Sequence, residues 1–254
     1  MRLLIGAGGT GGGVYPALAV HKALAEQCSN LETLWVGSEG GMEADLVKRA
    51  GLPFRAIPAA GVHGVGLLRL PVNLLKLARG LVAARRLLRH FRPDVLFFTG
   101  GYVAVPIALA GRSIPKLLYV PDIEPGLALK TLARFADHIA VTVEESRAYF
   151  HHKPLTVSGY PTRPELGTWS RETARRHLRL RFDRPVLLVF GGSKGARALN
   201  RAILAHLSDL LEQTQVVHIS GMLDWPEVEA KAQAISLIPI TIPSPTCTKK
   251  WALL

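Results

Sequence analysis

One sequence grammar is used twice in this chain, and it constrains the fold more than any other feature. A short apolar run, residues 3–7, leads into Gly8-Gly9-Thr10-Gly11-Gly12-Gly13 and then a helical pattern over residues 16–27. The order recurs far downstream: an apolar run at residues 185–190, then Gly191-Gly192-Ser193-Lys194-Gly195-Ala196-Arg197, then a helix from about Ala196. Glycine lets a backbone turn sharply and approach a ligand closely, and a helix N-terminus offers free N–H groups with a partial positive charge. Each turn is therefore read as an anion-ready loop. Neither is a phosphate-binding loop of the Gly-Lys-Ser/Thr type, and a loose dinucleotide-like spacing carries little weight alone.

Between the two turns, near-continuous apolar runs at residues 32–36, 54–57, 95–99, 116–120, 138–143 and 155–158 alternate with helical stretches. Strand–helix–strand order with strands apolar on both sides predicts an α/β chain with a parallel sheet covered on both faces. The restart at residue 185 predicts a second, similar domain. The expected boundaries are 1–163 and 164–254.

With 48% hydrophobic and 20% charged residues the composition is globular. A net charge of +12 suits phosphate-rich partners, whether nucleic acid, anionic headgroups or a pyrophosphate. Aromatic residues, 7% of the chain, are scattered and form no stacking platform, so no nucleic-acid partner is expected. Two distant cysteines, Cys28 and Cys247, make no disulfide framework or metal cluster, and a reducing, cytosolic setting is expected. No uncharged apolar run reaches the roughly 18 residues of a membrane span, so any membrane contact is expected to be peripheral. Residues 67–92 suit such contact, interleaving leucines with Arg69, Lys76, Arg79, Arg85, Arg86 and Arg89. A core helix with a solvated outer face reads the same way.

Four segments, in order, carry a more specific signal: GGTGGGVYPAL at residues 8–18, MEADLV at 42–47, Gly100-Gly101-Tyr102-Val103, and GGSKGARALN at 191–200. With them the chain resembles the peptidoglycan N-acetylglucosaminyltransferases of glycosyltransferase family 28, over roughly residues 1–234. The resemblance implies a GT-B fold, a Rossmann-like N-terminal acceptor domain followed by a second Rossmann-like donor domain. It implies inverting transfer of N-acetylglucosamine from UDP-N-acetylglucosamine to undecaprenyl-pyrophosphoryl-muramoyl-pentapeptide. It also implies a peripheral enzyme on the cytoplasmic face of the membrane, against an anionic surface, with no metal or other cofactor. By position, Thr10, Gly11 and Gly12 would line the phosphate side of the site, and Arg163 and Ser193 would touch the donor.

Two departures from the family fall at the chemistry. Gly13 stands where the family's first loop ends in histidine, and Tyr119-Val120-Pro121-Asp122 stands where the family has His-Glu-Gln-Asn. An acceptor hydroxyl needs a base within hydrogen-bond reach. Asp122 and Glu124 are the nearest surviving carboxylates; Asp122 is the catalytic candidate, with a loop residue capping the next helix as its structural alternative. A non-catalytic module that holds a lipid pyrophosphate, or a transferase with another acceptor, stays open. A dinucleotide oxidoreductase is disfavoured, because Gly37-Ser38 follows the second strand where an acidic ribose ligand would stand.

The tail departs further. Residues 244–254, SPTCTKKWALL, back-translated with ordinary codons and read two bases later, give Pro-Tyr-Leu-His-Glu-Glu-Met-Gly-Ala, which resembles the family's next segment. A frameshift between about residues 230 and 243 is therefore expected. On that reading residues 235–254 are out of frame, the second domain is incomplete, and this polypeptide shows no detectable transfer.

Overall fold

The structure is a computed structural model that describes residues 1–8, 11–41, 43–61, 65–66, 70–163, 167–192 and 195–234, together with the backbone of residues 252–253. The chain divides into two compact units, Met1–Leu166 and Gly167–Leu254.

The first unit is built on seven parallel strands: β1 (Arg2–Gly6), β2 (Glu32–Ser38), β3 (Phe54–Ile57), β4 (Val95–Phe98), β5 (Lys116–Val120), β6 (His138–Val141) and β7 (Leu155–Val157). Their order is β3-β2-β1-β4-β5-β6-β7. The crossovers are α1 (Gly11–Gln27), α2 (Glu43–Arg49), α3 (Leu70–Phe91), α4 (Ala104–Ala110) and α5 (Leu127–Phe135), and a short 3-10 helix (Glu144–Tyr149) precedes β7. Alternate residues of each strand feed two separate cores. Leu4, Phe98, Leu118 and Ile139 pack on one face against α3, α4 and α5, while Ile5, Trp35, Phe97 and Tyr119 pack on the other against α1 and α2. Each such side chain, fully buried, contributes about 1.5–3 kcal/mol. The order in which strands are added reverses between β1 and β4, and the crevice beyond the carboxyl ends of strands at such a switch point is where open α/β sheets bind ligands.

Helix α1 begins at Gly11, well before the expected start at residue 16, so the last three glycines of the first turn are helical. Glycine is a weak helix former, and Pro16 inside the helix has no N–H to give the Gly12 carbonyl. A tertiary bond supplies what propensity does not: Thr99 Oγ1, just past β4, donates to the Gly13 carbonyl at 2.7 Å. Helix α3 places Pro71 in its first turn, where the missing N–H costs nothing. Leu67, Leu68 and Arg69, expected in the same helical stretch, lie outside the described residues.

The second unit has parallel strands β8 (Val186–Phe190) and β9 (Gln215–Ile219). Among the described residues four helices accompany them: α6 (Arg171–His177), α7 (Arg197–Ala205), α8 (Leu207–Gln213) and α9 (Trp225–Ala234). Ser170 caps α6 by accepting from the Thr173 N–H at 3.0 Å. Its core is smaller, centred on Val189, Leu204, Leu207, Val216, Trp225 and Val228. The tail, expected to be out of frame, contributes a strand: β10 (Ala252–Leu253) pairs antiparallel with β9 at His218 and Val217. A backbone edge accepts any chain that reaches it extended, whatever the side chains.

Candidate functional site

At the switch point the loops after β1, β4 and β5 enclose a cavity of about 290 Å³. Gly8, Gly12 and Gly13 form one wall, Thr99, Gly100 and Gly101 a second, and Pro121, Asp122 and Tyr160 a third. The first two walls touch backbone to backbone. Gly101 has φ +88°, and a Cβ there would lie 3.0 Å from the Gly8 carbonyl oxygen, so only glycine permits this approach. The N-terminus of α1, whose first N–H groups no helical carbonyl can satisfy, stands beside this space.

The third wall is set by hydroxyls. Thr142 Oγ1 donates to the Pro121 carbonyl at 3.0 Å and lies 3.0 Å from the Tyr119 hydroxyl, which also donates to the Gly159 carbonyl at 3.4 Å. With the Thr142 proton committed to a carbonyl, the single Tyr119 proton is shared between the Thr142 oxygen and the Gly159 carbonyl. Tyr160 stacks edge-on against Tyr119, with ring centroids 6.4 Å apart. Burial, chiefly, pushes both phenols above their ordinary range, and the Asp122 charge adds to the effect. Both hydroxyls thus stay protonated donors.

Asp122 is exposed at the cavity mouth and is the single carboxylate among the described lining residues. It does not cap α5, whose N-cap is Gly126 without a side-chain bond. Glu124 turns away to Lys130, 3.5 Å distant. Gly12 and Asp122 therefore share one cavity. Gly11 and Arg163 meet nearby at a different group, Tyr15: the Arg163 guanidinium lies 4.7 Å from the ring centroid, and a Cβ on Gly11 would lie 3.2 Å from the ring edge. Thr10 and Ser193 lie outside the described residues.

The second turn differs from the first in backbone: Gly192 and Gly195 both take positive φ, which none of the described glycines of the first turn does. Gly195, at φ +82°, packs so closely on the Ser220 carbonyl that a Cβ would collide with it. Asn200, one turn into α7, donates to the Ser220 carbonyl and to Asp224 Oδ2, both at 2.9 Å, and so presents Oδ1 to His218 Nε2 at 2.9 Å. Arg197 donates to Asp224 Oδ1 at 2.9 Å. Asn200 first and Arg197 second hold the Asp224 carboxyl below its usual range.

These features coincide with a known family. The glycosyltransferase family 28 N-terminal domain matches residues 3–141, and the family 28 C-terminal domain matches residues 186–243. The chain belongs to glycosyltransferase family 28. It is 41% identical to a UDP-N-acetylglucosamine--N-acetylmuramyl-(pentapeptide) pyrophosphoryl-undecaprenol N-acetylglucosamine transferase of Roseiflexus sp. strain RS-1, over 87% of this chain and 60% of the relative. It is 39% identical to the protein of the same description from Desulforamulus reducens, over 93% of this chain and 66% of the relative. The crystal structure of Acinetobacter baumannii MurG superposes with TM-score 0.63 at 29% identity, covering 91% of this chain and 63% of that one. The chain thus spans about 60–66% of the length of these relatives. The fold is α/β of the GT-B type, with a Rossmann-like first unit and a part of the second.

The family 28 match corrects one expectation. It runs to residue 243, beyond residue 234 where the resemblance was expected to stop. Residues 235–250 lie outside those described.

Sequence reasoning assigned no role to the residues that brace the two family 28 turns. Glu43, within the second motif, is fully buried behind the first turn, and its Oε1 accepts from both the Ser38 N–H and the Ser38 hydroxyl at 2.7 Å. A Cβ on Gly8 would lie 2.6 Å from that same oxygen. The one available signal was an acidic residue just before an apolar helical stretch. Asn200 ended the fourth motif, yet its partner His218 is in another element and carried no signal at all.

Proposed function

We propose that this chain serves inverting transfer of N-acetylglucosamine from UDP-N-acetylglucosamine to the muramoyl hydroxyl of undecaprenyl-pyrophosphoryl-muramoyl-pentapeptide. The observation that carries the reading is the switch-point cavity, in which a glycine-opened helix N-terminus and one carboxylate, Asp122, face the same small space. On this reading the first unit, with Thr10, Gly11 and Gly12, holds the acceptor's pyrophosphate, which free N–H groups and the helix dipole favour. The second unit holds the donor, with Ser193 at the UDP-sugar, and Arg163 of the first unit is assigned to the same donor.

In the reaction the acceptor hydroxyl oxygen attacks the anomeric carbon as the bond from that carbon to the UDP phosphate oxygen breaks. The hydroxyl proton passes to Asp122, and the electron pair departs on UDP. Positioned donors and cations stabilise the charge that develops there. Asn200 and Arg197 support this indirectly, by fixing the second turn.

The outer face of α3 supplies the surface contact. Val72, Leu75 and Val82 are exposed there beside Arg79, Arg86 and Arg89. Apolar anchors within a cationic field suit a helix lying on anionic lipid at the cytoplasmic face. Among the described residues no helix is long and apolar enough to cross a membrane.

The test is transfer of labelled N-acetylglucosamine to a lipid acceptor by this chain extended to the length of its family 28 relatives, of which it spans about 60–66%. Asp122→Asn lowers kcat by about a hundredfold or more, the usual worth of a general base, and leaves KM nearly unchanged. Wild-type rates in the variant would remove Asp122 from the chemistry. The replacements Gly13 and Val120 favour a second reading, a module that binds a polyprenyl pyrophosphate without transfer. Saturable binding of that ligand with no turnover of UDP-N-acetylglucosamine would select it.

A further inference from the structure

A much larger cavity, about 960 Å³, lies on the opposite flank of the first unit and shares no lining residue with the switch-point site. It wraps the outer edge of the sheet, where β3 leaves the first half of β2 uncovered, and it is closed by α1 and the second half of α3. Its size falls at the upper end of small-molecule sites, about 300–1,000 Å³.

The chemistry of its walls narrows the occupant. Leu31, Leu34, Leu52, Leu87 and Phe91 make the floor. The polar pair within it, His21 and Thr33, is satisfied internally at 3.0 Å, and burial lowers the proton affinity of the imidazole. Such walls leave a sugar or a base without partners and accept hydrocarbon. The rim is different: Arg55, Arg86 and His90 are exposed there against the single carboxylate of Glu32. An apolar slot under a cationic rim complements an anionic amphiphile.

Its mouth is continuous with the outer face of α3. Ala83 and Arg86 line both this cavity and an adjoining hollow that contains Arg79 and Val82. We propose that the cavity takes one hydrocarbon chain of an anionic membrane lipid, with the headgroup held by Arg55 and Arg86. The membrane as source rests on the reading of α3 given above; the fit of the chain to the cavity does not.

The experiment uses the purified chain and two ligands. A fluorescent fatty acid below its micellar threshold binds saturably, and laurate displaces it about tenfold better than lauryl alcohol does. Ala25→Trp, at an exposed position of α1 that lines the cavity, weakens probe binding about tenfold or more, and Arg55→Gln together with Arg86→Gln does the same. Ala83→Trp repeats the test from α3, with circular dichroism to establish that each variant is folded.

In the second arm the chain is sedimented with phosphatidylglycerol vesicles, and Ala25→Trp lowers the bound fraction severalfold. Equal displacement by the alcohol, or probe binding indifferent to both tryptophans, overturns the proposal. So does lost fatty-acid binding with vesicle binding intact, which would make a free fatty acid the occupant. Leu75→Ser with Val82→Ser separates the two readings: it reduces vesicle binding if α3 is the membrane face and leaves probe binding unchanged either way.

Discussion

The two glycine turns share a sequence grammar but not a foundation. The first leaves β1, which has neighbours on both sides, in a sheet with a core on each face. The second leaves β8, at one end of a sheet of three described strands, and Leu188 and Phe190 on that strand are 53% and 61% exposed. The braces differ accordingly. Backbone contact with Gly101 and the buried Glu43 carboxylate hold the first turn, while a side-chain network through Asn200, His218 and Asp224 holds the second. A strand–glycine–helix motif specifies where the chain turns, whereas its rigidity comes from whatever packs behind it.

The largest effect should come from the second turn, which has less surrounding structure to absorb strain. Gly195→Ala forces a side chain into positive φ and into the Ser220 carbonyl, and it should destabilise the second unit by roughly 3–4 kcal/mol. Urea unfolding would show the second unit melting early and the first unchanged. One shared transition, shifted as a whole, would show that the two units do not unfold separately. Next comes Glu43→Ala, which deprives the Ser38 N–H and hydroxyl of their acceptor and should cost the first unit about 1–3 kcal/mol. Were Glu43→Ala to loosen the second unit instead, the division of braces between the two regions would be wrong.

What the sequence made legible follows the same divide. Strands of the first unit read clearly because both faces are buried, so their apolar runs are nearly continuous; residues 54–57 matched β3 end to end. The start of α1 did not, because a hydrogen bond from Thr99, distant in sequence, makes its glycine turn helical. Nor could sequence rank Asp122 above Glu124 by environment. Two residues apart in one loop, they differ only once the fold turns one to the cavity and the other to Lys130. Glu43 and His218 read as ordinary polar residues until neighbouring elements bury them.

A pH titration sharpens the contrast between the braces. Because Asn200 donates twice through its nitrogen, its oxygen accepts from His218 Nε2, which leaves His218 Nδ1 buried without a partner among the described residues. Protonation there would place an N–H where nothing accepts it, and burial lowers the pKa of His218 below the ordinary 6.5. The unfolded chain therefore binds this proton more readily. The stabilisation is fully present above pH 6.5 and is lost as pH falls toward the depressed folded value, with a slope of at most about 1.4 kcal/mol per pH unit for one group. His218→Gln retains a donor toward Asn200 and should flatten the second unit's profile between neutral pH and the carboxylate range. His21 is shifted in the same direction in the first unit, so that unit also declines, but His218→Gln should leave its curve unaltered. A profile of the second unit that keeps its slope in the variant would locate the sensitivity elsewhere.

The smallest change tests the first region from within. Glu124 and Lys130 form an exposed pair, and such pairs contribute about 0.5 kcal/mol or less once side-chain entropy and salt screening are counted. Glu124→Gln should therefore leave the melting of the first unit and any glycosyl transfer almost untouched, in contrast to Asp122→Asn. Both changes remove one negative charge from the same loop, so a general electrostatic effect on a pyrophosphate ligand would appear in both. Only proton acceptance in the cavity is confined to Asp122. If the two variants lost transfer equally, the charge of the loop rather than the position of one carboxylate would govern the site, and the acceptor's base would have to come from another residue.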